Sequence, residues 1–317
     1  MPDPLVSIVI ATYRSRIDHL SVAIASAVGQ SWRHLEVIVA DDSPDGSLGD
    51  LVRGFADARL DYVHNVPALG VAANHGSAFA RAKGEYIVVL NHDDWLAPTF
   101  AETLVACLRD QPAAVLAFCD HWIIDADGGR LETETRLCSA AWGRAALAPG
   151  LHRPFVELVA AQTIPIAMGT MFRRSALSVA LPAQAGPAYD LWLSYLLCRG
   201  GGAWYVPERL SAWRTHADGL THQGGLDWLL GSALCWQAVA RDDTFASVRA
   251  TALMKAALAF HACARRSWSA GHRADSARLA MQSLRARPTL RGLAMLAASA
   301  LPSRLAAALP RLTGQRP

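Results

Sequence analysis

The amino-acid sequence predicts an α/β fold in which a Rossmann-like, mostly parallel sheet carries helices on both faces, followed by a helical C-terminal region. Two observations lead to this prediction. Short apolar runs rich in β-branched residues alternate with segments of helical spacing through the first part of the chain. Beyond Gly225 the pattern changes to helices rich in Ala, Leu and Arg, with breaks at Gly271 and Pro288. We therefore expect one domain over residues 1–225 and a helical region over residues 226–317.

The composition allows a large hydrophobic core. The chain has 317 residues, of which 52% are hydrophobic and 18% are charged. These proportions exclude disordered and collagen-like proteins. The six cysteines include no C-x-x-C pair, so neither a zinc ribbon nor a redox motif is indicated.

The first two strands and the helix between them follow from the hydrophobic spacing. Val6–Ala11 is a run of apolar, mainly β-branched residues and predicts a strand. Apolar residues then recur at helical intervals over Ile17–Val28, and Gly29 ends the helix. Leu35–Ala40 repeats the strand pattern and stops in Asp41–Gly46, a cluster of turn-forming residues.

The same alternation continues along the chain. We expect a weaker strand over Leu60–Asn65, a helix over Ala72–Ala82 and a buried strand over Tyr86–Leu90, which ends in Asn91-His92-Asp93-Asp94. Polar residues thus follow several strands of the predicted sheet. Because such sheets bind ligands outside the carboxyl ends of their strands, we expect these residues to meet in one site.

The rest of the first domain has less regular spacing. Ala113–Ile124, Gly169–Arg173 and Leu210–His216 have the composition of strands, and Tyr189–Leu193 begins a helix. Residues Leu131–Leu151 have weak propensities, and we expect this segment to be irregular.

The segment Asn91–Asp94 has the chemistry of a metal site. Adjacent hard oxygen ligands on a short loop suit Mg²⁺ or Mn²⁺, with substrate phosphates completing the coordination shell. The alternative is that Asp94 caps a helix, and Asp41-Asp42 is likewise compatible with a solvated turn. If both acidic clusters meet Thr12-Tyr13, they form a site with an aromatic ring to stack on a base and carboxylates for ribose and metal.

Other phosphate-binding and hydrolytic motifs are absent from the sequence. There is no G-x-x-x-x-G-K-[ST], no G-x-G-x-x-G after the first strand, no G-x-S-x-G and no H-E-x-x-H. Phosphate binding is therefore expected to go through a metal ion rather than a glycine-rich loop.

Six short motifs occur in a recognisable order and spacing. They are Ser7–Tyr13, Gln30–Trp32, Leu35–Ser47, Gly70–Asn74, Asn91–Asp94 and Tyr189–Trp192. In this order they resemble the inverting family 2 glycosyltransferases of the GT-A fold. The resemblance spans about residues 5–216 and implies the GT-A fold for the first domain.

The resemblance implies roles for particular residues. The donor nucleotide would be bound by Thr12, Tyr13, Asp41, Asp42 and Asn74. The divalent ion, Mn²⁺ or Mg²⁺, would be bound by Asp93 and Asp94 with His216 nearby. Asp190 matches the catalytic base.

Two features qualify these roles. Relatives often carry Asp where this chain has Asn91, and a neutral amide is a weaker metal ligand, so we expect metal binding to persist through the remaining carboxylates. Asp190 follows an apolar, glycine-containing segment, Gly186–Tyr189, which favours a base, while a helix N-cap before Leu191 is the alternative.

The implied activity is metal-assisted transfer of a sugar from a nucleotide-diphosphate sugar to a hydroxyl acceptor, as in polysaccharide biosynthesis. UDP is the expected carrier, the expected acceptor is a hydroxyl group of a glycan or of a lipid-linked saccharide, and no nucleic-acid partner is indicated. A nucleotidyl transferase would need a glycine-rich loop after the first strand, and Ala11–Arg14 contains no glycine. A degenerate nucleotide-sugar-binding or scaffold protein is the non-enzymatic alternative.

The charge is distributed unevenly. From Leu226 onward the chain carries 13 Lys and Arg against 4 Asp and no Glu, a net charge of +9, so a total of +3 leaves −6 for residues 1–225. A basic, apolar helical region predicts either packing on the catalytic domain or peripheral contact with a membrane. No basic segment precedes the short apolar run Leu5–Ala11, so we expect a cytoplasmic protein. If the helical region contacts a membrane, we expect it to do so peripherally at the inner face.

Overall fold

The structure, a computed structural model, describes residues 3–177, 179–216 and 225–300. The chain divides into two compact units, Met1–Gln223 and Gly224–Pro317. The first unit combines strands and helices, and the described part of the second is helical. The α/β fold class and the C-terminal helices predicted from the sequence are therefore confirmed.

The first unit contains nine strands and eight α-helices in its described part. The strands are β1 (Val6–Thr12), β2 (Leu35–Asp41), β3 (Leu60–His64), β4 (Tyr86–Val89), β5 (Trp95–Leu96), β6 (Ala114–Ile124), β7 (Gly150–His152), β8 (Thr170–Arg173) and β9 (Gly202–Arg214). The helices are α1 (Ile17–Val28), α2 (Leu48–Gly54), α3 (Val71–Arg81), α4 (Phe100–Asp110), α5 (Glu132–Ala141), α6 (Val156–Ala161), α7 (Ile166–Gly169) and α8 (Tyr189–Cys198).

Four α-helices make up most of the described part of the second unit. They are α9 (Leu226–Arg241), α10 (Arg249–Ser269), α11 (Arg273–Ala286) and α12 (Leu290–Ala300). Helices α9 and α10 pack together, as do α10 and α11, and α11 and α12. No helix among the described residues combines the length and the hydrophobicity that a membrane span needs.

All nine strands belong to one sheet. Its order is β3-β2-β1-β4-β8-β6-β9-β5, and β7 pairs with β9. Strands β3, β2, β1 and β4 are parallel to their neighbours, and so are β6 and β9. Strand β8 runs antiparallel between β4 and β6. The parallel strands place their carboxyl ends at one edge, where the sequence predicts the site.

The core explains why the strands are apolar on both faces. Ile8 and Ile10 of β1 pack in one cluster with Leu20 of α1 and Leu104 of α4. Val9 points to the opposite face, because side chains alternate along a strand, and it is fully buried on the side where α3 contacts β1 and β2. Burial on both faces requires the continuous apolar runs seen in the sequence.

Helix α5 lies in the segment that the sequence predicts to be irregular, so that prediction is wrong. This helix buries two polar residues, Thr135 and Ser139. The Thr135 hydroxyl accepts a hydrogen bond of 2.9 Å from the backbone of Ile123, and the Ser139 hydroxyl donates one of 2.8 Å to Asp120. Because polar contacts attach α5 to β6, the segment lacks the apolar periodicity that predicts a helix.

Gln30 connects helix α1 to the segment before α4. The side chain is fully buried. Its amide nitrogen donates to the backbone oxygens of Ser26 and Ala97, each at 2.9 Å, and its amide oxygen accepts from the Ala101 backbone at 2.9 Å. A buried amide with three bonds fixes two segments that are distant in sequence. This gives the Gln30–Trp32 motif a structural role.

A buried histidine joins helices α3 and α8. The His75 ring stacks on the Tyr189 ring, with centroids 3.8 Å apart. His75 also forms a 2.8 Å hydrogen bond with the backbone oxygen of Val71. Burial lowers the pKa of His75 from 6.5 to about 4. The imidazole is therefore neutral in the folded protein at neutral pH.

We expect His75 to make the fold sensitive to acid. Below pH 6.5 the unfolded chain binds a proton at His75, whereas the folded chain binds it only near pH 4, so the folded state loses stability over this interval. The loss should be about 3 kcal/mol between pH 7 and pH 4. In His75→Phe, which keeps an aromatic ring against Tyr189, that part of the pH dependence should disappear.

Urea unfolding from pH 7 to pH 4 measures this effect. His34→Phe is the matched control, since the His34 side chain is exposed. A slope of unfolding free energy against pH that is the same in His75→Phe and in the wild type would contradict the prediction.

Candidate functional site

The carboxyl ends of β1, β2 and β3 form one row. Thr12 pairs with Asp41, and Asp41 pairs with His64. The backbone of Asp42 donates a 3.0 Å hydrogen bond to the oxygen of Thr12. The structure thus brings the predicted donor-binding residues at the ends of β1 and β2 together.

Asp41 is fully buried at the end of β2. One carboxylate oxygen accepts a 2.8 Å hydrogen bond from the Ser43 backbone, and the other accepts one of 2.7 Å from the Tyr62 hydroxyl. Burial, together with the hydrogen bond to Asp41, raises the pKa of Tyr62. Each carboxylate oxygen has two lone pairs, so Asp41 can still accept a hydrogen bond from a ligand.

Asp42 holds the approach to helix α3. One of its oxygens accepts from the Asn65 side chain at 2.9 Å, and the other accepts from the backbone of Leu69 at 3.1 Å and of Gly70 at 2.8 Å. Gly70 has φ of +82°, a conformation that favours glycine, and it precedes the first residue of α3. Asp42 therefore fixes the chain where α3 begins.

Asn74 ties α3 to both central strands. Its amide nitrogen donates to the backbone oxygens of Thr12 at 3.3 Å and of Ala40 at 3.0 Å. Its amide oxygen accepts from Asn65 at 3.0 Å. The side chain is buried, so these three bonds fix the start of α3 against the ends of β1 and β2.

Thr12 and Tyr13 differ in exposure. The Thr12 side chain is buried and hydrogen-bonds to the Ser15 hydroxyl. The Tyr13 side chain is 53% exposed, and the Arg14 guanidinium lies 5.4 Å from its ring centre. Tyr13 thus presents an open aromatic face at the site, as stacking on a base requires.

The segment Asn91–Asp94 follows β4 and contains a buried carboxylate. Asp94 is fully buried, and its two oxygens accept from the Arg214 backbone at 2.8 Å and from the Asn91 amide at 3.0 Å. Burial, and then the charge of Asp93, raise the pKa of Asp94 well above its ordinary value. The short strand β5 follows Asp94, so the helix-cap alternative is wrong.

Asp93 pairs with His216. Their side chains are 2.9 Å apart and are 16% and 13% exposed, respectively. Nδ1 of His216 is buried and has no partner among the described residues, and the His19 ring lies edge-on with centroids 5.5 Å apart. Over the described ranges no three His, Cys, Asp or Glu side chains are grouped as a metal site. Asp93 and His216 offer two donors, which suits an ion that also binds substrate phosphates.

Arg214 is a site residue that the sequence analysis missed. Its buried guanidinium donates to the backbone oxygens of Asp93 at 2.8 Å and of Ala126 at 2.9 Å, among others. Its only sequence signal is its place in the Arg214-Thr215-His216 segment. Because it binds backbone rather than a ligand, a search for ligand chemistry overlooks it.

Asp190 lies in the first turn of α8 and is partly exposed. One oxygen accepts a 2.8 Å hydrogen bond from the Leu191 backbone. The N-cap residue is Ala188, so the N-cap alternative for Asp190 is wrong. Burial raises the pKa of Asp190. Its second oxygen has no hydrogen-bond partner among the residues that the structure describes.

Tyr189 links α8 to the segment Asn91–Asp94. Its hydroxyl donates a 2.8 Å hydrogen bond to the Asn91 amide oxygen. The residue before Asp190 therefore touches the segment that contains Asp93 and Asp94. Since β4 is also the neighbour of β1, all the predicted site residues of this unit lie along one sheet edge.

Comparison with solved structures identifies the fold. TarS of S. aureus matches with a TM-score of 0.65 over 92% of this chain and 50% of TarS, at 13% identity. The mannosyltransferase PcManGT from Pyrobaculum calidifontis, solved with GDP-Man and Mn²⁺, matches with a TM-score of 0.58 over 94% of this chain and 79% of that protein, at 18% identity. The fold is the GT-A fold of glycosyltransferases.

Sequence comparison gives the family. WfaP of Escherichia coli, a UDP-Glc:alpha-D-GlcNAc-diphosphoundecaprenol beta-1,3-glucosyltransferase, is 34% identical over 95 residues, which are 30% of this chain and 38% of WfaP. WfgD of Escherichia coli, with the same described activity, is 33% identical over 99 residues, 31% of this chain and 38% of WfgD. These matches span less than half of the curated relatives. The model of glycosyl transferase family 2 matches residues 7–178, and with the ordered site described above this shows that the chain is a family 2 glycosyltransferase.

Proposed function

We propose that this protein is an inverting, metal-assisted glycosyltransferase that moves a sugar from a UDP-sugar to a hydroxyl group of an acceptor. The observation that carries the proposal is the 2.8 Å hydrogen bond between Tyr189 and Asn91. It puts the proposed base, Asp190, beside the loop that contains the proposed metal ligand, Asp93.

Donor binding is proposed at the ends of β1 and β2. The exposed ring of Tyr13 would stack on the base, and Asp41 would accept a hydrogen bond from it. Asp42 and Asn74 support this region through their bonds to the chain around Thr12 and Gly70. UDP as the carrier is supported by the relatives WfaP and WfgD, which are described as using UDP-Glc, and by the TarS structures with UDP and UDP-GlcNAc.

The metal is proposed to bind Asp93 and His216. Asp94 is fully buried, and its oxygens accept hydrogen bonds from Asn91 and Arg214, so it orients the loop and is a weaker candidate for direct coordination than the partly exposed Asp93. The unpartnered Nδ1 of His216 shows that this imidazole is not saturated by the protein. A bound Mn²⁺ or Mg²⁺ would neutralise the charge that develops on the departing diphosphate.

Asp190 is proposed to remove the proton of the acceptor hydroxyl. Burial raises the pKa of Asp190 towards neutral pH, and a general base is most effective when its pKa is near the working pH. The deprotonated oxygen attacks the anomeric carbon from the side opposite the diphosphate, which inverts the configuration. Tyr189 positions Asp190, since its ring is held by His75 and its hydroxyl by Asn91.

A non-catalytic nucleotide-sugar-binding protein is the second candidate. It is favoured by Asn91 in place of a carboxylate and by the complete burial of Asp94. Slow hydrolysis of UDP-sugars by the purified protein with Mn²⁺ would support the enzyme, and binding without any hydrolysis or transfer would support this alternative.

Donor binding is expected to require a divalent cation. Calorimetric titration with UDP should show affinity that falls at least about tenfold with EDTA or in Asp93→Asn, because the diphosphate loses its counter-charge. Asp110→Asn, an exposed position at the end of α4, is the control. Unchanged affinity after chelation would contradict the metal assignment.

Asp190→Asn is expected to bind donor and to lose transfer. A neutral amide cannot take the acceptor's proton, so kcat should fall by roughly 10²- to 10⁴-fold, while the Kd for UDP stays near the wild-type value. Steady-state kinetics over a panel of UDP-sugars and hydroxyl acceptors measures kcat. Turnover within a few fold of wild type in a folded variant would eliminate Asp190 as the base.

We further propose that the helical unit makes peripheral contact with an anionic membrane at its cytoplasmic face. Leu258, Leu290 and Leu293 are exposed by 61%, 86% and 54%. Burial lowers the pKa of His261 on α10, and the positive charges of Arg265 and Arg291 lower it further. The two arginines therefore both lie near His261. Exposed leucines together with arginines in one helical unit match the chemistry of an anionic lipid surface. A lipid-linked acceptor, as in the described activity of WfaP, would be held in such a membrane.

Co-sedimentation with vesicles of anionic phospholipid tests the membrane contact. Binding should be strong at low salt, and the full chain with Arg265→Gln and Arg291→Gln should bind at least about tenfold more weakly, since each basic residue contributes about 1 kcal/mol. Arg109→Gln on α4 is the charge-matched control. Absence of pelleting at low salt would rule the contact out.

A further inference from the structure

A pocket lies in the first unit, away from the sheet edge that carries the candidate site. It has a volume of about 440 Å³ and lies between β6, α5 and β9. Three arginines line it, Arg136, Arg144 and Arg209, and Asp120 is the single carboxylate among its lining residues. The lining is therefore cationic, although this unit carries the acidic part of the sequence.

The charge of Asp120 is already balanced within the wall. Its carboxylate pairs with Arg144 at 2.8 Å, and the two side chains are 6% and 2% exposed. Ser139 donates a 2.8 Å hydrogen bond to the other oxygen of Asp120. Arg144 also donates to the backbone oxygen of Thr163 at 2.9 Å. This buried pair is a rigid floor with little net charge.

Neither of the other two arginines has a carboxylate of its own among the residues that line the pocket. Nε of Arg209 is 3.8 Å from Asp120 and is buried without a hydrogen-bond partner among the described residues. Its guanidinium carbon lies 4.7 Å from the ring centre of Trp122, which fixes its position. Arg136 is exposed, and within the described ranges it forms no ion pair. Arg209 thus shares Asp120 with Arg144, and the three arginines outnumber the single carboxylate of the lining by two.

From this arrangement we infer that the pocket binds a phosphate group, most favourably a diphosphate. The planar forks of Arg136 and Arg209 match the oxygens of a phosphate, and both side chains line the same pocket. Tyr205 and Leu147 complete the lining and offer apolar contact to whatever the phosphate is attached to.

The pocket lies within reach of the candidate active site. Asp120 precedes Ile124 by four residues on β6, which is roughly 13 Å along the strand. Ile124 pairs with Arg214, whose backbone binds Asp94. A molecule that reacts at the sheet edge can therefore place an anionic end in the pocket. We assign that end to a phosphate-bearing acceptor; this assignment rests on the proposed transferase function, whereas phosphate binding itself does not.

Calorimetric titration of the full chain in EDTA tests the inference. The probes are inorganic diphosphate and farnesyl diphosphate, and chelation removes the metal on which donor binding is proposed to depend. We expect both probes to bind, and Arg136→Gln or Arg209→Gln to weaken each by about tenfold. Arg109→Gln, which removes the same charge from α4, should bind like the wild type.

The outcomes separate the possibilities. No binding of either probe by the wild type, or equal affinity in both pocket variants and the wild type, overturns the inference. Arg136 is exposed, so its variant should fold even if Arg209→Gln does not. Tighter binding of farnesyl diphosphate supports a lipid-linked phosphate, and equal binding of the two probes supports a soluble one. If the protein binds diphosphate in this pocket but transfers no sugar, the phosphate site stands and only the proposed transferase function is refuted.

Discussion

The buried carboxylate of Asp94 connects the end of β4 to the end of β9 at the sheet edge that carries the candidate site. In the sheet, β8 and β6 lie between β4 and β9, so no strand pairing connects the ends of β4 and β9. Asp94 makes that connection by accepting a hydrogen bond from the Arg214 backbone, and the Arg214 guanidinium returns one to the oxygen of Asp93. A buried charge is costly unless it is fully hydrogen-bonded, which explains why every oxygen of Asp94 is engaged.

This constraint explains why position 91 carries an amide. Asn91 donates to Asp94 and accepts from Tyr189, and a carboxylate cannot do both. An aspartate here would add a third negative charge beside Asp93 and Asp94, and the pKa of Asp94 is already raised. Asparagine instead of aspartate at position 91 removes one potential metal ligand, and it provides a hydrogen bond to Tyr189 of α8. In this chain the loop geometry therefore depends on a neutral side chain.

Polar contacts also determine the part of the sheet around β6. The pair of Asp120 and Arg144, with Ser139, attaches α5 where other helices use apolar faces. Buried ion pairs add little stability because desolvation offsets their attraction, but they tolerate few alternative geometries. The result is a rigid wall that leaves Arg209 and Arg136 directed at the adjoining pocket. Both polar regions lie in the unit whose apolar strands form the core.

The sequence by itself determined most of the sheet strands, with β5 and β7 as exceptions, the edge at which polar residues collect and the family resemblance. These features depend on local order: β1, β2 and β4 are mainly apolar runs, Asp41 is the last residue of β2, and Asp93 lies four residues after the end of β4. Only the tertiary structure decided which groups these carboxylates bind within the protein: Asp94 accepts from Arg214, 120 positions away, and Asp42 accepts from Gly70. Helix α5 and the pocket beside it were equally beyond the sequence. Hydrogen bonds between distant segments leave no periodicity in the chain, whereas burial of a strand does.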